Sequence, residues 1–565
     1  MTNDLCRIGG ALSILLLGAC TYDAAAPARV VAPLPAPALA AATEINTAPD
    51  AAARLKADVT YLADDAREGR EAGTAGYQAG ADYVAARMQA IGLKPAGNNG
   101  WFQKVPLVSS KPVLEASAFS ITNAKGETMA LTHLDDFLVF PAIDETEVDI
   151  SGEVVFVGYG IHAPDQGHDD YADLDVEGKI VAIFGGAPEG FDTEQRAHFG
   201  SQSGKLDMAA AQGAIGMIGL STSTSEKRFP WERVKGFATS KRMTWVHPNG
   251  RPDTPGKGLK ASVSLNPAIT EMLFDGSGKT FKEVRAAIDE DGASVPEGFA
   301  LPVSVSIKGA RVQEMGSSPN VVGLLSGADP ILKDEYIVLT AHLDGLGISE
   351  KLLAEGKDAI RNGAVDNALG VASMLEAADR LVKDGAPARS ILFIALTGEE
   401  KGLLGADYFA HYPTVAKSGL AANVNLDMPL AFHPFTDVVA FGAERSSLGP
   451  IVREATAKIG VTLSPDPVPE QGLFTRSDHY RFVEQGVPSV FLVVGFANGG
   501  QEQFNEFLAK HYHKPSDEVT LPILWDDVAR FAEVNYLIAT DLANVPERPS
   551  WNEGDFFGDL FAGDK

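Results

Sequence analysis

From about Pro302 onward the chain repeats one pattern: a short apolar run, a polar group at its end, then a stretch with apolar positions three and four residues apart. The apolar runs cover residues 336–339, 391–396, 422–426 and 489–494. Strands alternating with helical patterns predict an α/β fold, with a mixed, largely parallel central sheet flanked by helices. In such sheets the working crevice lies at the carboxyl ends of the strands. The residues just after each run are therefore the place to seek chemistry.

Upstream, residues 51–93 predict helix, turn and helix, because Tyr77, Ala81, Val84, Ala85 and Met88 recur at helical spacing and Gly92 supplies a stop. These are read as packing helices without a titratable cluster. Between roughly 131 and 294 the pattern changes to short strands and glycine-rich turns: strands at 153–161, 179–184 and 215–220, with a helix after Lys205. This reads as an inserted β-rich domain. His162, His168, His198 and His247 fall in it at unrelated spacings and are read as surface histidines rather than ligands.

The first residues read as an address. An apolar run at 8–17, too short to span a bilayer, ends in Leu17-Gly18-Ala19-Cys20, which resembles a bacterial lipobox. Cys20 would then be the first mature residue and carry lipid. An Ala/Pro-rich tether follows. The expected organisation is signal peptide 1–19, tether 20–45, a main domain from 46–130 and 295–545, the insert at 131–294 and a C-terminal tail at 546–565. Export follows, to the outer membrane or periplasmic face with a lipid anchor, otherwise to the periplasm or medium. Membrane contact is expected only through that anchor.

With 565 residues the chain exceeds one ordinary core, in keeping with the insert. Acidic residues outnumber basic ones, 75 to 47, and the formal charge of −28 repels a phosphate backbone, so nucleic acid is not an expected partner. The only two cysteines, Cys6 and Cys20, precede the body, so any metal site must be built from His, Asp and Glu.

Following the strand ends gives His342 and Asp344, then Glu399 and Glu400, then Asp427. Asp366 opens the helix after the first strand, and His513 comes shortly before the last helices. Singly, each has an ordinary explanation: a helix cap, a core histidine or a solvated pair of glutamates. Two histidines and three carboxylates on one rim of one sheet make a site for two metal ions. A carboxylate can bridge and an imidazole cannot, so Asp366 is placed between the metals, with His342 and Asp427 on one and Glu400 and His513 on the other. Glu399 is left as general base, and Asp344 is placed to accept the other N–H of His342.

The motifs AHLDG, AVDNALG, TGEEKGLLG, NLDM, RSDHY and YHKPSD, in this order, resemble those of the di-zinc aminopeptidases of metallopeptidase clan MH. Relatives of that family include glutamate carboxypeptidase and the transferrin receptor. The resemblance implies a zinc exopeptidase fold with an inserted protease-associated domain and two Zn2+ per chain. It carries over the five ligands and Glu399 without substitution, and the expected partners are peptides with free N-termini. It also implies a carbonyl-polarising role for Tyr512, and it places Arg476 and Asp478 near the substrate, in contact with it or supporting the residues that are. A carboxypeptidase or dipeptidase on the same scaffold, or a non-catalytic surface binding protein, are the competing readings. The first would need an arginine cluster at the pocket, and the second would be marked by lost ligands.

Overall fold

The computed structural model describes residues 50–291 and 297–563; the expected signal peptide, Cys20 and the 20–45 tether lie outside the described residues. In chain order, the elements that position the site begin with helices α1 (Ala51–Leu62) and α2 (Ala75–Ile91), then strands β1 (Phe102–Pro112), β2 (Phe299–Leu325) and β3 (Tyr336–His342). Helix α3 (Leu369–Asp384) and strands β4 (Ser390–Leu396), β5 (Leu420–Leu426), β6 (Asp437–Phe441) and β7 (Ser489–Val494) follow, and helix α4 (Trp525–Asn544) comes last.

Strand β3 pairs in parallel with β4 on one side and β5 on the other, and β5 pairs in parallel with β7. Antiparallel strands flank this parallel core: β2 on β4, and β6 on β7. Every residue of β4 and β5 is buried. The runs are continuously apolar because both faces are covered, as parallel sheets require. Ile337, Leu339 and Ala341 of β3 share a core with α1, α2, α3 and α4. Val338, on the opposite face, packs with the helix Leu404–His411. Successive strand residues point to opposite faces, which is how one strand feeds two cores.

A second sheet is built largely before β2. The first part of β2 pairs with Ala118–Thr122 on one edge and Glu147–Phe156 on the other. The sheet continues in parallel through Ile180–Phe184, Gly216–Leu220 and Ala261–Leu265 and closes with antiparallel Phe137–Pro141. It thus draws on residues from Ala118 to beyond Lys308, wider than the expected 131–294. The single strand β2 belongs to both sheets, so the chain passes between them without a linker, at residues 309–311. Strand β1 lies against the second part of β2 and carries Arg242–Trp245 on its other edge.

Two expectations need correction. The first helices do carry buried charge: Arg87 Nε lies 2.9 Å from Asp58 Oδ1, whose oxygen also accepts the Tyr83 hydroxyl at 2.6 Å. The insert histidines are not all at the surface. His162 is exposed and pairs with Asp169, and His168 with Asp170, but His247 is half-buried between Tyr412 and Asp253. His198 is enclosed: its Nδ1 meets Tyr480 Oη at 2.5 Å, among the rings of Phe556, Phe557 and Phe561. The helix Thr193–Gly200 docks there, helped by Glu194 and Asp192, which both pair with Arg445. The C-terminal segment is part of the body, with Phe557 fully buried. Among the described residues no helix is long and apolar enough to cross a membrane.

Candidate metal centre

The parallel register sets His342 opposite Leu396, so the end of β3 lies beside the turn that carries Glu399 and Glu400. Asp427 follows the last residue of β5 on the other side. His342 Nε2 is 3.2 Å from Asp427 Oδ1 and 3.2 Å from Asp366 Oδ1. The second oxygen of Asp366 faces His513 Nε2 at 3.4 Å, and the same nitrogen is 3.3 Å from Glu400 Oε2. Two groups of possible ligand atoms result: His342, Asp366 and Asp427, and Asp366, Glu400 and His513, each within 4.8 Å. Asp366 belongs to both.

Asp366 sits in an irregular turn at Ala364–Ala368, just before α3. Asp517 holds this turn: its carboxylate accepts the N–H of Val365 at 2.9 Å and of Asp366 at 3.0 Å. Asn367 fastens the other side, donating to the carbonyl of Leu426 at 3.0 Å and accepting from Gly370 and Met428 at 2.9 and 3.2 Å. A Cβ at Gly370 would lie 2.1 Å from Asn367 Oδ1, so only glycine lets α3 start this close to β5. His513 and Met428 adopt left-handed φ of 61° and 45°. Such conformations cost about 1 kcal/mol or more and persist where surrounding contacts fix them.

Asp344 acts differently from the sequence expectation. His342 Nδ1 is 3.1 Å from the Asp344 backbone carbonyl, and its carboxylate is 3.9 Å away. That carboxylate instead accepts the backbone N–H of Glu399 at 3.0 Å and of Glu400 at 3.3 Å. It therefore fixes the turn that presents both glutamates.

Burial pushes the Glu399 carboxyl well above the usual carboxylate range; His342 pulls the other way, while Glu400 and Asp427 add to the rise. Glu400 is raised too, by burial and then by Asp366. Asp366 itself is held well below that range: burial opposes this, and its contacts to His342 and His513 prevail. Carboxylates crowded out of water around two imidazoles are what a divalent cation relieves. Nitrogen and oxygen donors in this number suit zinc. Beneath the cluster Arg70, fully buried, donates to the carbonyls of Leu62, Leu343, Asn362 and Gly363 at 2.6–2.9 Å. It ties the first helices to the segments that carry His342 and Asp366.

Glu399 approaches His342 Nε2 at 3.9 Å and lines a recess with Asp366, Asp427 and Tyr512. The recess wall is apolar: Met428, Leu430, Leu473, Val493, Val494 and Phe504. Tyr512 stacks on His513 with ring centroids 3.7 Å apart. Arg476 is exposed at the recess edge and donates to the carbonyl of Gln471 at 3.4 Å. Asp478 is fully buried and does not border the recess. Sequence reasoning assigned no role to Ser477, Asp517 or Arg70, although the first two stood in quoted motifs. Ser477 donates to Asp427 Oδ2 at 2.6 Å and accepts from Asn425 at 2.7 Å, so it orients that carboxylate.

Comparison with known proteins bears on this geometry. Residues 320–539 match the model of peptidase family M28. The M28-matching stretch contains all five ligand candidates, Glu399, Arg476 and Tyr512. It leaves out Arg70 and the second sheet. A protein of Pyrenophora tritici-repentis named "Probable zinc metalloprotease" is 28% identical over 261 residues, 41% of this chain and 58% of that protein. Aminopeptidase YwaD of Bacillus subtilis is 28% identical over 208 residues, 36% of this chain and 40% of its own length. The matched parts therefore span less than two thirds of either relative. Among solved structures, an aminopeptidase from Aneurinibacillus sp. strain AM-1 superimposes with a TM-score of 0.49 at 17% identity, covering 88% of this chain and 95% of that one. A zinc aminopeptidase from Bacillus subtilis gives 0.41 at 19% identity, covering 88% and 96%.

Proposed function

We propose that this chain is a zinc-dependent aminopeptidase that removes residues from the free N-termini of peptides. The observation that carries this reading is Asp366, whose two oxygens face two separate groups of ligands. His342, Asp366 and Asp427 would hold one Zn2+, and Asp366, Glu400 and His513 the other. Bound zinc supplies Lewis acidity at the scissile carbonyl and makes water a better nucleophile near neutral pH. Glu399 takes the proton from the attacking water and delivers it to the leaving amine. Its separate backbone anchoring on Asp344 keeps it apart from the ligand Glu400. Tyr512, at the recess wall, donates to the developing oxyanion.

The apolar recess takes the side chain of the N-terminal residue and favours aliphatic ones. Among the described residues Arg476 is the one arginine on its wall, which favours the aminopeptidase reading over a carboxypeptidase. The second sheet is read as a protease-associated domain, and Cys20 as a lipid anchor that keeps the enzyme at a cell envelope. Release of the chromophore from leucine p-nitroanilide, lost with chelation and restored by zinc, tests the activity. No release from any aminoacyl anilide by zinc-loaded protein would contradict it.

A further inference from the structure

A second, larger cleft of about 1280 Å3 borders the ligand cluster at Glu400 and His513 and is also lined by Arg242 and Arg311. Arg242 and Arg311 come from different strands but one face. Arg242 pairs across from Ser110 of β1, and Arg311 of β2 donates from Nη1 to Ser110 Oγ at 3.1 Å. Arg242 lies over the Phe140 ring at 4.1 Å, and the second Nη of Arg311 reaches the Pro141 carbonyl.

Among the described residues neither guanidinium has a carboxylate within ion-pair distance. Arg311 is 7% exposed and its buried Nε lacks a hydrogen-bond partner. Burial and then the positive charge of Arg242 pull Arg311 down to about 10, with Asp144 opposing more weakly. A buried, unneutralised Arg311 beside a second arginine is a costly arrangement, and a conspicuous one in a chain of net charge −28. Of the acidic residues in the same cleft, Glu71 pairs with Lys401 at 2.8 Å, Asp253 with His247 at 3.2 Å, Asp407 with His411 at 3.0 Å and Glu350 with Lys111 at 4.0 Å, and Glu314 lies outside ion-pair distance of both arginines.

We propose that Arg242 and Arg311 form a carboxylate-binding subsite that holds the distal end of a peptide lying along this cleft. A guanidinium matches carboxylate geometry and binds it bidentately; Arg242, exposed on the cleft, can present its fork in this way, and Arg311 beside it adds positive charge. The reach can be bounded from β2: Arg311 is seven residues before Ser318, whose hydroxyl bonds Thr397, two residues from Glu399. At about 3.3 Å per residue that is roughly 23 Å, so an extended peptide of about seven residues spans the interval. The subsite rests on the peptidase reading, and it adds a substrate class: oligopeptides with a carboxylate at their far end, from the C-terminus or an acidic side chain.

The test is equilibrium binding to zinc-supplemented full chain carrying Glu399→Gln, which prevents turnover. Octapeptides with a free N-terminus and a fluorophore on a central lysine are compared by anisotropy as C-terminal acid, C-terminal amide, and amide with glutamate at position seven. The acid should bind about tenfold tighter than the plain amide, and Arg242→Gln, the exposed partner, should bring this ratio to about one. Recovery of tight binding by the glutamate peptide assigns the subsite to acidic side chains as well; without recovery it reads the C-terminus. Equal binding of all three peptides, a ratio that survives Arg242→Gln, or no binding of any octapeptide overturns the subsite. Hydrolysis of leucine p-nitroanilide by the unmutated protein reports separately on the peptidase reading, so the two can fail independently.

Discussion

The carboxylate of Asp517 accepts the backbone N–H of Asp366 at 3.0 Å. Its other oxygen takes the N–H of Val365 at 2.9 Å, and both bonds are buried. Asp366 is the residue shared by both ligand groups, so the pose of the whole cluster depends on a side chain that touches no ligand atom position itself. Partners of this kind are worth about 10–100-fold in metal affinity. Asp517→Ala is expected to lower zinc affinity by that factor in competition with a chromophoric chelator. Unchanged affinity would show that the turn holds without Asp517.

Ser477 makes a second such prediction. Its hydroxyl donates to Asp427 and accepts from Asn425, which in turn accepts from Thr340 at 2.7 Å. Ser477→Ala leaves Asp427 Oδ2 without this donor and Asn425 without an acceptor. The cost should be about 1–3 kcal/mol in stability, with a fall of about tenfold in kcat/KM. Thermal unfolding and aminoacyl anilide kinetics, measured together, check both; loss of neither would remove Ser477 from the supporting network.

How much of this was legible beforehand depends on the range of each interaction. The strands ending at His342, Leu396 and Leu426 were visible because continuous apolar runs are a property of neighbouring residues, and His342, Glu400 and Asp427 followed from their place at the strand ends. Ser489–Val494 forms over the predicted span, while β3 runs three residues past its predicted end, because His342 itself completes the pairing with Leu396. Asp344 went astray since its closeness to His342 in sequence suggested a side-chain bond, whereas the carboxylate turns to a loop 55 residues away. Asp517 lies 151 residues from the Asp366 N–H it holds, and nothing local marks such a partner. The pairing of Arg242 with Arg311 depends on the joint register of three strands, which no periodicity shows.

The docking of the second sheet's helix predicts a pH effect. Burial pulls His198 down to about 4, so it stays neutral beside Tyr480. In the unfolded chain it titrates near 6.5, so between these values the unfolded state binds the extra proton. Its stabilising share is full above about pH 6.5, falls as pH drops towards 4, and is worth up to about 3 kcal/mol. His198→Gln should flatten the decline of Tm between pH 6.5 and 4 relative to the unmutated chain. Parallel curves would mean His198 titrates normally in the folded protein.

The division of labour between the adjacent glutamates predicts opposite phenotypes. Glu400→Gln removes a ligand from the group shared with His513, so zinc content should fall towards one ion per chain. Glu399→Gln should keep the metal content of the unmutated protein while kcat drops by about 10²–10⁴. Elemental analysis after dialysis, beside kcat, separates the two; loss of metal from Glu399→Gln would contradict the assignment.

The most direct measurement is mass spectrometry of a defined peptide mixture incubated with the zinc-loaded chain, beside Glu399→Gln and a chelated control. The account predicts stepwise loss of residues from free N-termini, absent in both controls and on N-acetylated peptides. Shortening from the C-terminus, or no cleavage of any peptide, would contradict it.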